Sequence, residues 1–205
     1  MRGTVAKPLF LHFARGTRLM SEPSRMPRQE IGGTVPEIQL PMISGEAGSL
    51  STFMKGKRGA VVVFWWETCS HCIRYDSYLN SFSDGHPEIC LVAVASRKGE
   101  NLDQIRATEA ERNLRFPIFH DSGGIVARQW FTQQTPRAFL IDMDRRLLYR
   151  GATDNFKYPQ DPEYRAYLEP AIEAYFAGRP IERKETASFG CAVESVYYIL
   201  PKTLA

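Results

Sequence analysis

The stretch VVVFWWETCSHCIRY, residues 61–75, decides the fold of this chain. Its first six residues are apolar and favour extended structure, so they predict a buried strand. A polar pair ends that run, and from Tyr75 onward aromatic and aliphatic side chains recur at helical spacing. The sequence therefore predicts that Cys69 lies at a strand-to-helix junction and that Cys72 lies in the first helical turn.

This placement favours reactivity of the two thiols. The positive end of a helix stabilises an anion, so a cysteine there ionises more easily than a free one of pKa ~8.5. Two intervening residues bring both sulfurs together within one turn, so the pair can close an exchangeable disulfide. The chain has four cysteines in 205 residues, too few for a disulfide framework, and the CxxC predicts redox or metal chemistry. Cys90 lies in an apolar run and is predicted to be a small buried hydrophobe.

Length, composition and charge predict one globular domain with terminal extensions. Hydrophobic residues make up 43% and charged residues 24% of the chain. Residues 1–28 carry six basic side chains and one acidic one, a charge of +5, which leaves −2 for the rest of a net +3. The folded part is thus not a basic nucleic-acid binder. No apolar run approaches the roughly 18 residues of a membrane span.

We expect a flexible basic leader over 1–30, a domain over 31–178 and a C-terminal tail over 179–205. The leader has three interpretations: a disordered segment, a start placed too early with Met20 or Met26 as initiator, or an Arg-rich presequence. A clear signal peptide is lacking, which slightly favours a cytoplasmic location.

Elements predicted along the chain alternate between strand and helix. We expect strands within 32–41, 61–66, 89–95, 138–142 and 147–150, with an extended piece at 116–119. Helices are expected after the CxxC, over 101–114, around 125–130 and over 162–177, with a loop at 44–48. The order predicts an α/β fold with a central mixed sheet flanked by helices on both faces.

Five pieces of this sequence carry a resemblance to a known family: GGTVPEIQLP (32–41), FWWETCSHC (64–72), HDSGGIVARQW (120–130), TPRAFLID (135–142) and LLYRGATDN (147–155). Together they resemble the thioredoxin-like superfamily, specifically the TlpA/ResA-type thiol–disulfide oxidoreductases and redoxin or AhpC-TSA-like proteins. A CxxC after a buried strand, followed 64 residues later by a Thr-Pro that opens a strand, is a specific combination.

The resemblance implies a thioredoxin-like fold and roles for individual residues. Cys69 would be the nucleophile that forms a mixed disulfide with substrate, and Cys72 would resolve it. Pro136 would be cis, and Thr135 would offer its backbone N–H and C=O to a substrate strand. Trp66 and Thr68 would complete the substrate-binding surface. The implied partners are a protein or small-molecule thiol or disulfide and a reductase or oxidase; no cofactor and no metal are implied. Some relatives are extracytoplasmic, so the location stays open.

Several positions depart from the thioredoxin pattern. Val63 stands where thioredoxin has a buried aspartate, and Thr68 replaces a frequent tryptophan. Glu67 matches a carboxylate that is usually peripheral. Ser70-His71 fills the motif, and a histidine before the second cysteine also occurs in the oxidising DsbA-type motif CPHC. An imidazole beside a thiolate stabilises the reduced form, so His71 predicts a pair more oxidising than thioredoxin at ~−270 mV.

Cys191 has three open interpretations. The ending TASFGCAV, residues 186–193, resembles that of redoxin-like proteins that finish in Thr…Gly-Cys-x-hydrophobic, although Glu194 stands where a basic residue is usual. Gly190 permits unusual backbone angles, so it can present the thiol to another group. Cys191 is therefore a third redox cysteine, a metal ligand or a structural residue.

Two alternative functions remain at this point. A peroxiredoxin-like thiol peroxidase needs a threonine three residues before its reactive cysteine, and Trp66 occupies that position here. A copper or zinc metallochaperone would use Cys69 and Cys72, but two cysteines make an incomplete site.

Overall fold

The computed structural model describes residues 29–193, so nearly all of the predicted basic leader lies outside the described residues. The elements are β1 (Gln39–Pro41), β2 (Ala47–Ser49), α1 (Leu50–Phe53), β3 (Gly59–Trp65), α2 (Ser70–Ile73), α3 (Asp76–Gly85), β4 (Ile89–Ala95), α4 (Leu102–Arg112), β5 (Ile118–His120), α5 (Ile125–Gln129), β6 (Gln134–Thr135), β7 (Arg137–Asp142), β8 (Leu147–Gly151), α6 (Leu168–Phe176) and β9 (Cys191–Ala192).

Strand β3 is the central strand of a five-stranded sheet ordered β5-β4-β3-β7-β8. It pairs parallel with β4 and antiparallel with β7, so the sheet is mixed, as predicted. All seven β3 residues are buried because both faces of the sheet are covered. A continuous apolar run, without the alternation of a half-exposed strand, is the sequence signature of that position.

Side chains of β3 alternate between two hydrophobic cores, one on each face of the sheet. Val61, Val63 and Trp65 pack with residues of α3, α4 and α6. Ala60, Val62 and Phe64 pack with residues of α1 and α5 and with Trp130. The predicted arrangement with helices on both faces is therefore confirmed. Cys90 is buried in the second core, as predicted.

Two predicted elements have different bounds in the structure. The predicted loop over 44–48 contains the start of β2, which pairs antiparallel with β1. The predicted helix over 162–177 begins only at Leu168, because the preceding residues bond to the loop after β8: Asn155 N–H donates to Arg165 O at 2.9 Å. Pro170 then lies in the first turn, where its missing N–H would have had no helical partner.

The described part of the predicted tail packs against the sheet. Arg150 N–H in β8 donates to Lys184 O at 3.0 Å, and β9 pairs antiparallel with β6. Residues 184–193 are called the tail strand below. Within residues 29–193, no helix has the length and apolar character needed to cross a bilayer.

Candidate active site

The two motif cysteines lie where the sequence predicts, at the end of the central strand. Cys69 is the N-cap of the short helix α2, and Cys72 lies inside it. Cys69 N–H donates to Trp66 O at 3.2 Å, and Cys72 N–H donates to Cys69 O at 2.8 Å, so the backbone turns tightly around the pair. Both are free thiols with 0% of their surface exposed.

Thr135, at the end of β6, contacts three cysteines of the chain. The peptide bond between Thr135 and Pro136 is cis, as the resemblance implies. The protonated Cys69 thiol donates to Thr135 O at 3.4 Å. The Thr135 hydroxyl contacts the Cys72 thiol and donates to Cys191 O at 3.4 Å. One fully buried residue thus touches the three cysteines of the site.

Hydrogen bonding among the sulfurs separates their acidities. The Cys72 thiol, followed by the Cys191 thiol and backbone N–H, donates to Cys69 and lowers its pKa to about 4, although burial acts in the opposite direction. Burial, together with the neighbouring Cys69 thiolate, raises the pKa of Cys72 well above its ordinary value. At neutral pH the site therefore holds one thiolate, on Cys69, beside a protonated Cys72.

Cys191 belongs to the same cluster. Strand β9 places it directly opposite Thr135 in an antiparallel register, and its half-buried side chain packs against the core that contains Cys69 and Cys72. Burial and then the Cys69 thiolate raise the pKa of Cys191 to about 11. The structure thus places Cys191, one of whose three interpretations is a third redox cysteine, beside the predicted redox pair.

The other predicted substrate-binding residues surround this cluster. Trp66 is half-buried under the guanidinium of Arg97, which lies 4.2 Å from its ring centroid. Thr68 is exposed on the loop between β3 and α2. Pro136 is buried and borders a small hollow formed with Tyr75, Ala152, Thr153, Asp154, Phe156 and Phe189.

The His71 ring lies against Phe156 with the ring centroids 4.7 Å apart. The neighbouring Arg74 stacks over Phe156 and Tyr158 at 4.7 and 4.5 Å. These contacts attach the loop after β8 to helix α2. The hydrogen bonds that lower the pKa of Cys69 come from Cys72 and Cys191, so the effect predicted for His71 stays a prediction.

A pair of carboxyl groups, Glu67 and Glu100, lies beside the motif. Glu67 is buried, and its backbone carbonyl accepts a hydrogen bond of 2.6 Å from Arg112. Burial, followed by hydrogen bonding and repulsion from Glu67, raises the pKa of Glu100 to about 9. Glu100 is therefore protonated at neutral pH.

Sequence reasoning missed Arg97 and Glu100 as neighbours of the site. A signal was present: both follow the buried strand β4, and the carboxyl ends of the parallel strands β3 and β4 meet at one edge of the sheet. Polar residues directly after β4 are therefore expected beside those directly after β3.

Among residues 29–193, no three side chains of His, Cys, Asp or Glu converge in a way that would hold an ion.

Comparison with known families identifies the chain. A model of the AhpC/TSA family matches residues 31–150, more than half of the 205 residues. The chain belongs to the AhpC/TSA family. The match covers the central strand, the CxxC motif and the strands up to β8, and it ends before the tail strand.

One relative and two solved structures resemble this AhpC/TSA member over 61% to 82% of its length. A protein named thiol-disulfide oxidoreductase ResA, from Bacillus cereus, is 26% identical over 125 residues, which are 61% of this chain and 71% of the relative. An uncharacterized conserved protein from Geobacillus kaustophilus has a TM-score of 0.72 at 21% identity, covering 80% of this chain and 92% of that one. A hypothetical protein from Sinorhizobium meliloti has a TM-score of 0.71 at 23% identity, covering 82% and 95%. The predicted thioredoxin-like α/β fold is confirmed.

Proposed function

We propose that the protein is a thiol–disulfide oxidoreductase in which Cys69 is the nucleophile and Cys72 the resolving cysteine. The placement of the two thiols carries this proposal, because Cys69 is the N-cap of α2 and Cys72 lies inside that helix, where it hydrogen-bonds to Cys69 and favours the Cys69 thiolate. The name of the ResA relative supports the same class of chemistry.

The proposed reaction is a pair of thiol–disulfide exchanges. The Cys69 thiolate attacks one sulfur of a substrate disulfide, a mixed disulfide forms, and the first substrate sulfur leaves as a thiolate. Cys72 then loses its proton and attacks Cys69 Sγ, which forms the Cys69–Cys72 disulfide and releases the second substrate sulfur. Each step breaks one S–S bond and forms another. A redox partner returns the protein to its starting state, and the same steps reversed oxidise a dithiol.

The substrate would be a protein or small molecule that carries a thiol or a disulfide. An extended segment would pair with the backbone of Thr135 while its sulfur faces Cys69. Pro136, Trp66 and the exposed Thr68 surround that position and would contact the flanking residues of the segment.

The experiment that tests this function follows each cysteine by mass spectrometry across a glutathione redox series. We expect Cys69 and Cys72 to close reversibly with each other, at a potential above thioredoxin's ~−270 mV because the Cys69 thiolate is stabilised. Cys90 is the internal control and should stay reduced, because burial raises its pKa to about 12. A series in which Cys69 and Cys72 never pair would contradict the proposal.

Peroxide separates the proposed function from the peroxidase alternative. Trp66, not a threonine, lies three residues before Cys69, and the hydroxyl of Thr68 is exposed. We therefore expect Cys69 to react with a peptide disulfide much faster than with hydrogen peroxide. The opposite order would favour the peroxidase.

A further inference from the structure

The tail strand is attached firmly at its first end. Thr186 N–H donates to Arg150 O at 3.1 Å, and the Thr186 hydroxyl bonds to the Tyr149 hydroxyl at 2.7 Å. The Arg150 side chain is only 3% exposed and pairs with Glu185 at 3.0 Å. These hydrogen bonds, together with an ion pair whose Arg150 side chain is buried, give this segment a fixed path.

The other end of the tail strand lies across the edge of β6. Val193 N–H donates to Gln133 O at 2.9 Å, and Lys98 N–H donates to Val193 O at 3.2 Å. The Val193 side chain is buried in the second core, and the Arg97 guanidinium donates to Ala192 O. Backbone partners on two sides thus hold this end beside the three sulfurs.

Gly190 allows the close approach between the tail strand and Thr135. A Cβ atom at this position would lie 1.8 Å from Thr135 O, which is far below any contact distance. Only glycine fits here, so the register that sets Cys191 opposite Thr135 depends on it.

The edge at Thr135 is the one that the proposed function assigns to an extended substrate. In this structure β9 occupies it, and the residue that faces Thr135 is itself a cysteine. Cys69 has no exposed surface under this arrangement. The tail strand therefore has the position and the reactive group of a bound substrate segment.

We propose that the tail strand is an internal substrate segment and that Cys191 is the internal disulfide partner of Cys69. This inference rests on the proposed function, since it assigns Cys69 as the nucleophile. Two consequences follow: Cys191 shields Cys69 while the tail strand is seated, and an external segment pairs with Thr135 only after the tail strand has left.

The exchange that links the three sulfurs is balanced and needs no added oxidant. In the oxidised protein, Cys191 loses its proton and attacks Cys69 Sγ, which breaks the Cys69–Cys72 bond and forms the Cys69–Cys191 bond. Cys72 leaves as a thiolate and takes up a proton. In the reverse direction Cys72 attacks Cys69 and releases Cys191 as a thiol.

The test uses the full chain with Cys72→Ser and excess oxidised glutathione. Cys69 attacks glutathione disulfide, one glutathione leaves as a thiol, and the other stays on Cys69. Cys191 then attacks Cys69 Sγ, expels the second glutathione and closes the Cys69–Cys191 bond. We expect peptide mapping to find that bond and no lasting adduct in Cys72→Ser, and a lasting adduct on Cys69 in Cys72→Ser/Cys191→Ser. An adduct that persists equally in both variants would overturn the proposal.

A second variant tests the geometry while keeping every thiol. In Cys72→Ser/Gly190→Ala the new methyl group displaces the tail strand, so we expect the glutathione adduct on Cys69 to persist. Cys72→Ser/Gly85→Ala is the matched control, because a Cβ at Gly85 has open space. Closure in the Gly190→Ala variant at the rate of the control would refute the tail strand as the element that presents Cys191. The wild-type redox series tests the Cys69–Cys72 pair separately, so failure of either proposal is distinguishable.

Discussion

At the scale of single residues, three sulfurs of one chemical type differ widely in acidity because burial and their hydrogen bonds to each other act differently on each of them. Cys69 receives hydrogen bonds and has a pKa of about 4, whereas Cys191 donates one and has a pKa of about 11. Burial, together with the interactions that stabilise the Cys69 anion, keeps its neighbours protonated. The reactivity of each thiol in such a cluster depends on the other two thiols, so it changes when any of them is replaced.

The alkylation rate of Cys69 should report this acidity. In the reduced protein we expect its rate with iodoacetamide to rise through a midpoint near pH 4 and to level off above it. Cys191→Ala removes one donor, so its midpoint should lie at higher pH. Mass spectrometry measures both rates, with Cys90 as the unreactive reference. An unchanged midpoint in the variant would contradict the role of the Cys191 thiol.

Reduction potential distinguishes Cys191 from His71. Stabilising the Cys69 thiolate favours the reduced protein, so removing a stabiliser should lower the potential. We expect His71→Ala to lower it less than Cys191→Ala does, because the imidazole packs against Phe156. Equilibration with glutathione gives both values. A larger effect of His71→Ala would show that the imidazole, and not Cys191, mainly sets the reduction potential of the Cys69–Cys72 pair.

Glu100 should make the folded protein less stable as the pH rises. Its folded pKa of about 9 lies above the ordinary value of 4.5, so the native state binds the proton more tightly than the unfolded state. Its favourable contribution is complete below pH 4.5 and is lost as the pH rises toward 9. Glu100→Gln mimics the neutral form, so we expect it to raise the free energy of unfolding more at pH 8 than at pH 5. Urea unfolding at both values checks this, and an equal effect would count against the raised pKa of Glu100.

At the scale of elements, strands and helices that are continuous in the sequence can be predicted from it. Pairings between segments that are distant in the sequence cannot. Strands β3, β4 and β7 are apolar runs, and their pattern alone indicates burial on both faces. The position of the CxxC turn could be predicted because the apolar run of β3 ends shortly before it. The pairing of β9 with β6 involves two residues each, with Thr135 and Cys191 separated by 56 positions, so no local periodicity marks it. The late start of α6 could have been predicted from Pro170, because a helix over 162–177 would place this proline in its interior.

The core on the face away from α3 and α6 should carry much of the stability of the sheet. Phe139 is 1% exposed and contacts Phe64 and Trp130 with ring centroids 5.6 and 5.1 Å apart. We expect Phe139→Ala to lower the free energy of unfolding by about 3–5 kcal/mol. Ile125→Ala, at a side chain that is 56% exposed, is the control and should change it by less than about 0.5 kcal/mol. Similar losses in urea unfolding would contradict this description of the core.

At the scale of the whole molecule, four segments far apart in sequence meet around the sulfurs. They are the loop after β3, the loop after β4, the strand β6 and the tail strand. Arg97 joins three of them, since its guanidinium lies over Trp66 and donates to Ala192 O. The site is therefore complete only when the loop after β4 holds the tail strand in place.

Replacing Arg97 should release the tail strand. A half-exposed hydrogen bond from a charged group contributes on the order of 1 kcal/mol, so we expect Arg97→Ala to increase Cys69 alkylation at pH 7 roughly three- to tenfold. At that pH Cys69 is already a thiolate, so the change reports access. Lys98→Ala is the matched control, because the contact described between Lys98 and residues 184–193 uses the backbone N–H, which alanine keeps. Equal rates in the two variants would show that Arg97 does not hold the tail strand.

The covalent attachment of the tail strand gives it an advantage over any molecule in solution. A segment tethered to the sheet competes at a high effective concentration, of the order of millimolar for a short flexible connection, however dilute the protein is. An external peptide would bind the small fraction of molecules whose edge is vacant, and its apparent dissociation constant would be the intrinsic value divided by that fraction. Weak binding of a peptide to the intact chain would therefore reflect how fully the tail strand occupies the edge at Thr135 as much as the intrinsic affinity of the peptide.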